Sequence, residues 1–159
     1  MSCLGVHFAL TEDEISKLRS FKNEQDRLGY LKENIEEAYF NKYPEHLAES
    51  DKAWDTIHEV LKGTKYPLNY VILDGEPLYT GSDYIMSLKT PKQVKDIAEV
   101  LKFMTEEKFK RLYLSSHNES RQPTTNEGFG HTWEWFQNVR DLYSRASNNG
   151  RYILFTADQ

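Results

Sequence analysis

Apolar positions along this chain alternate between short unbroken runs and stripes spaced by three or four residues. The first run, Cys3-Leu4-Gly5-Val6-His7-Phe8-Ala9-Leu10, is followed by Thr11-Glu12-Asp13-Glu14, with threonine and glutamate at the spacing of a capping box. A strand leading into a helix is predicted, with Ile15, Leu18 and Phe21 on the helix's buried stripe. A second stripe runs through Leu28, Leu31, Ile35, Ala38 and Tyr39, with Glu33, Glu36 and Glu37 on the other side, and must stop before Pro44. A third, Ala53, Trp54, Ile57, Val60 and Leu61, predicts a helix capped by Ser50 or Asp51 and ended by Gly63.

After Pro67 the segment Leu68-Asn69-Tyr70-Val71-Ile72-Leu73, closed by Asp74-Gly75, predicts a strand entering a turn. Residues 76–82 read as loop and 84–88 as a short extended piece. Thr90-Pro91 opens a further helix, whose buried side is Val94, Ile97, Ala98, Leu101 and Phe103. Thr105 caps another, carrying Phe109, Leu112 and Tyr113. Residues 115–130 are mostly polar, with glycine and proline, and form the longest candidate loop. Thr132 is placed to cap a long helix bearing Trp133, Phe136, Val139, Leu142, Tyr143 and Ala146, which Asn148-Asn149-Gly150 ends. A last strand, Tyr152-Ile153-Leu154-Phe155, closes the chain. The expected fold class is α+β: one domain over residues 1–159, with a small mixed or antiparallel sheet that includes the N- and C-terminal strands and is packed by about six helices.

Composition narrows the function classes. The chain has 159 residues, 38% of them hydrophobic and 13% aromatic, enough for a packed core without disulfides or metal. Cys3 is the only cysteine, so no intrachain disulfide forms, and a reducing, cytoplasmic setting is the expectation. No window has the apolar length of a membrane span. The net charge of -5, with both signs interspersed, argues against a nucleic-acid partner. No cofactor fingerprint is present: Asp74-Gly75-Glu76 and Gly128-Phe129-Gly130 read as ordinary turns, although the second precedes a helix whose amides could meet an anion.

The stretch Asp51-Lys52-Ala53-Trp54-Asp55-Thr56-Ile57-His58, the opening Cys3-Leu4-Gly5, the Pro67-Leu68-Asn69 segment and the closing helix and strand together resemble the YfbM-like family of bacterial domains. The resemblance spans essentially the whole chain and implies an α+β fold. It carries no assigned activity, cofactor or catalytic residue; some relatives look like accessory proteins of bacterial or phage conflict systems.

Asp51, Asp55 and His58 stand at i, i+4 and i+7 on one helix face beside Trp54. A carboxylate that orients a histidine is a proton-transfer pair, so Asp55 and His58 would be the acid and base if the protein is an enzyme. The same residues are also explained structurally, with Asp51 as a cap, His58 hydrogen-bonded to a neighbour and Trp54 in the core. His7 and His131 are too distant in sequence from His58 to indicate a zinc site, His46 and His117 read as solvated loop residues, and Cys3 reads as an inert core thiol. Trp133 and Trp135 lie two apart on a helix, so one of them must face a pocket, an interface or solvent.

Two readings follow. In the first the chain is a non-catalytic binding module, recognising a protein partner or small metabolite through an aromatic-lined cleft formed by Asp51, Trp54, Asp55, His58, Tyr84 and Trp135. In the second it is a small enzyme using Asp55 and His58. The absence of a nucleophile or metal motif favours the first, and the aromatic supply fits a homodimer.

Overall fold

The computed structural model describes residues 3–116 and 126–159, and side chains from residue 128 onward in the last helix. Its centre is an antiparallel sheet of five strands in the order β2-β1-β5-β4-β3: β1 Gly5–Leu10, β2 Leu47–Asp51, β3 Glu76–Pro77, β4 Tyr84–Lys89 and β5 Tyr152–Asp158. The C-terminal strand therefore occupies the middle, hydrogen-bonded to β1 on one side and β4 on the other. Both faces are covered, which explains why these strands read as unbroken apolar runs rather than alternating ones.

Phe8, Leu10, Met86, Leu88 and Leu154 turn to one face and pack with Ile15, Leu18, Leu31, Ile35 and Tyr39. Those helical residues come from α1 (Glu12–Ser20) and from a rod that runs as α2 (Glu24–Tyr30), a π-helical stretch (Leu31–Glu36) and α3 (Glu37–Lys42). Ala9, Ile153, Phe155 and Ala157 turn to the other face, against α4 (Ala53–Leu61), α5 (Pro91–Leu101), α6 (Glu106–Ser115) and α7 (Asn126–Asn148). Counting α2 to α3 as one rod gives six helical rods among the described residues, and the α+β class with both terminal strands in the sheet is as predicted.

Local signals worked where a side chain closes a backbone valence. Thr11 and Glu14 form the expected capping box, and Thr90 with Gln93 forms a second around Pro91. Thr105 caps α6 by accepting from the Lys108 N–H, and Gly150 leaves α7 with a positive φ of 63°.

Five expectations are corrected. Residues 68–73 are not a strand: Leu68–Tyr70 is a 3-10 turn, and Val71 and Ile72 are buried. The carbonyls that a strand would place in a ladder are taken by side chains instead: Tyr143 Oη donates to Val71, Lys89 Nζ to Ile72 and Ser87 Oγ to Leu73. The apolar run signalled burial, not extension. Ser50 and Asp51 do not cap α4; they belong to β2, and the N-cap position is Lys52, without a side-chain cap. Thr132 lies within α7, which begins at Asn126, and its hydroxyl donates back to the Gly128 carbonyl. Phe103 is 70% exposed, because α5 ends at Leu101 and the chain turns before the next buried position, Met104. Of the predicted loop 115–130, Ser115 belongs to α6 and residues 126–130 to α7, while residues 117–125, His117 among them, lie outside the described residues.

Candidate functional site

The sequence-predicted site residues fall on two sides of the sheet. Trp54 packs on the Phe155 ring in the α4–α7 core, and its indole N–H donates to the Cys3 carbonyl at 2.8 Å. Trp135, half-buried, faces β2 from α7. Tyr84 is on the opposite face, in the core built with α1 to α3. One cleft lined by Trp54, His58, Tyr84 and Trp135 is therefore not formed: β4 directs Tyr84, Met86 and Leu88 away from the α4 side.

Asp55 and His58 share a helix face as spacing requires, yet no hydrogen bond joins them among the described residues. His58 is half-buried, and burial holds it below the ordinary imidazole pKa. Of the carboxylates opposing that shift Asp74 acts most strongly and Asp55 most weakly. Asp74, from the turn after the corrected segment, is the electrostatic partner that helical spacing alone could not identify. Asp51 sits at the end of β2 with φ 48° and accepts from the Lys52 N–H. Cys3 is half-buried, with φ 43°, rather than a core thiol. His46, expected to be solvated, is partly buried with an unpartnered Nδ1, and His131 is exposed. Among the described residues no three His, Cys, Asp or Glu side chains are grouped as a metal ion would require.

The sheet contains a polar group that no motif announced. His7 is fully buried, its Nε2 2.9 Å from Ser50 Oγ and its ring 4.8 Å from that of Phe155. Burial, reinforced by the nearby Lys89 charge, pushes the His7 pKa down to about 3. Lys89 is also fully buried, with its ammonium over the Phe155 ring and bonded to the Ile72 carbonyl, and burial lowers its pKa to about 7 despite Asp74. Neither group reaches solvent, so both act on the stability of the fold rather than on a ligand.

A cleft of about 330 Å³ opens to solvent at the end of the sheet where β1 begins and β5 ends. Three backbone irregularities surround it. The π-helical stretch contributes Lys32 and Glu36; β1 and β2 change register between Gly5 and Val6, leaving Ser50 as the extra residue between Glu49 and Asp51; and Cys3 and Asp51 have positive φ. Such features concentrate at functional positions because regular structure would otherwise replace them. Gly5 is required here: a Cβ on it would lie 2.6 Å from Ser50 Oγ and 2.7 Å from Trp54 Cδ1. Trp54 therefore shapes this cleft indirectly, by holding Cys3 so that Leu4 lies on its rim.

Tyr84 and Thr156 form the floor, exposed Leu4 and Phe40 the apolar rim, and Lys32, Glu36, Glu49 and Asp158 supply the charge. None of the three carboxylates accepts a hydrogen bond or joins an ion pair among the described residues. Lys32 Nζ instead stands 5.1 Å from the centre of the Tyr84 ring, a cation–π contact. Burial raises the Glu36 pKa, Lys32 opposes that shift and Asp158 adds to it. Tyr84 is pushed up to about 12 by burial, opposed by its hydrogen bond with Thr156 and assisted by Glu36 and Asp158. The cleft thus holds three unpaired carboxylates to one cation over an aromatic face.

The family described as a domain of unknown function, DUF1877, matches residues 1–156. Among solved structures the chain is similar to the crystal structure of YfbM, a protein of unknown function from Escherichia coli. That match has a TM-score of 0.63 at 18% identity and covers 97% of this chain and 99% of the other. No curated protein matches the chain.

Proposed function

We propose, from the premise that this chain belongs to the DUF1877 family and shares the fold of YfbM, that it is a single binding domain whose end cleft takes a cationic, amine-bearing group. The observation that carries this reading is the set of unpaired Glu36, Glu49 and Asp158 carboxylates around the Tyr84 ring, with Lys32 already seated on that ring. An ammonium or guanidinium entering the cleft meets carboxylates that make no hydrogen bond or ion pair among the described residues, and its aliphatic stem meets Leu4 and Phe40. The volume, about 330 Å³, suits one amine side chain or a small amine metabolite rather than a nucleotide. The chemistry is recognition: neither serine nor cysteine lines the cleft, and its one aliphatic hydroxyl, Thr156, donates to the Val6 carbonyl. Among the described residues no helix is long and apolar enough to cross a membrane, and the single cysteine fits a cytoplasmic setting.

The test is titration with blocked lysine (N-acetyl-lysine amide), spermidine and, as an anionic control, succinate, at low salt and followed by amide NMR. The two amines should shift resonances around Tyr84 and succinate should not; Glu36→Gln and Asp158→Asn should each weaken amine binding about threefold or more. Equal shifts with succinate, or amine binding indifferent to both substitutions, would overturn the reading.

A further inference from the structure

The cleft does not end at Glu49. That side chain also borders a groove of about 280 Å³ on the other side of β2, between the strand and α7, where Trp135, Asn138, Asp141 and Arg145 face Leu47 and Ala48. β2 is the outermost strand and, among the described residues, pairs with β1 alone. The Leu47 N–H is turned back to the Pro44 carbonyl, and Ala48 and Ser50 are buried, so the accessible part of the edge is centred on exposed Glu49. An edge strand flanked by concavities on both faces is the geometry for strand addition: main-chain bonds hold an extended segment, and its alternate side chains enter the two hollows.

Resting on the cation reading of the cleft, we infer that the natural ligand is a basic, extended segment of a partner protein that adds as a further strand to the free edge of β2. Charge selects the partner. Glu49, Asp141, Glu36 and Asp158 border the two hollows against Lys32 and Arg145, and Arg145 Nε already donates to the Glu45 carbonyl. The residues of an added strand point alternately to the two faces, so an apolar side chain reaches the half-buried Trp135 ring and its neighbour enters the cleft. That neighbour has to be long, because an added strand lies about 4.8 Å outside β2 while the cleft extends inward across β1 and β5. Lysine and arginine have that reach, and aspartate, serine and threonine do not.

The experiment compares a blocked octapeptide of alternating valine and lysine with blocked lysine alone, on the whole chain, by calorimetry and by amide hydrogen exchange. The peptide should bind on the order of tenfold more tightly and slow exchange at those β2 amides that face away from β1, and Trp135→Ala should abolish that gain while leaving blocked-lysine binding unchanged. Blocked lysine binding with no gain for the peptide, or a gain without protection of the β2 amides, overturns strand addition and leaves the cation cleft standing. Failure of both ligands overturns the cation reading and this inference with it. Protection of the same amides without peptide, rising with protein concentration, assigns the edge to a second copy of the chain and likewise overturns the inference.

Discussion

Lowering the pH should destabilise this fold through one buried side chain. His7 is fully buried, with an ordinary pKa of 6.5 pushed down to about 3 in the folded chain, first by burial and then by Lys89. Between those two values the unfolded chain binds the proton and the folded chain does not, so stability falls as pH falls through that window. Its contribution is intact above pH 6.5 and fully lost only below about 3. Integrating over the upper part of the window gives a loss on the order of 2 kcal/mol between neutral pH and about pH 5. The Lys89 ammonium is the charge that opposes protonation, and Ser50 Oγ is the one hydrogen-bond partner; His7 Nδ1 has none. The assay is urea unfolding followed by circular dichroism across this range, for the natural chain and for His7→Gln, which keeps an amide to meet Ser50 but does not titrate. Half-buried His58 and His46 also have lowered pKa values and contribute to both proteins, so the difference between the two slopes isolates His7. Equal slopes would refute the reasoning.

Other substitutions probe the same sheet. Lys89→Met should stabilise the fold near neutral pH and flatten its stability between about pH 7 and 10, because the folded pKa of about 7 makes the natural chain gain stability as pH rises over that range; chemical denaturation at both ends reads it. Gly5→Ala should cost about 1–3 kcal/mol of unfolding free energy, since its Cβ would meet Ser50, Trp54 and Phe155 at 3.0 Å or less, and a Tm unchanged from the natural chain would contradict the packing. Trp54→Phe keeps a ring on Phe155 but loses the bond to the Cys3 carbonyl; faster amide exchange at residues 4 and 5 should follow, with weaker amine binding through the displaced Leu4.

The sequence made much of the fold legible and little of the site, for one physical reason. Capping boxes, glycine stops and helical stripes are local, so Thr11, Thr90, Thr105 and Gly150 could be read directly. The 68–73 segment could not: its apolar run is the same for a strand and for a buried turn, and what decides between them is three side chains from β4 and α7 donating to its carbonyls. The site suffered likewise. Spacing put Asp55 beside His58, whereas the fold brings Asp74 closer in effect. Tyr84 was recognised as a candidate, but its companions Lys32, Glu36 and Asp158 come from a helical rod and the last strand. The glutamates of the second stripe read only as the polar side of a helix; Glu36 lies in the π-helical stretch, which periodicity does not encode, and lines the cleft.

Lys32 sits on the Tyr84 ring, the place that a ligand cation takes under the proposed function. Calorimetric affinity for blocked lysine at low salt, measured on the natural chain and on Lys32→Met, tests this most directly. Removing the resident ammonium frees the ring and leaves the carboxylates uncompensated, so Lys32→Met should bind about two- to tenfold more tightly. Unchanged or weaker binding would contradict the account.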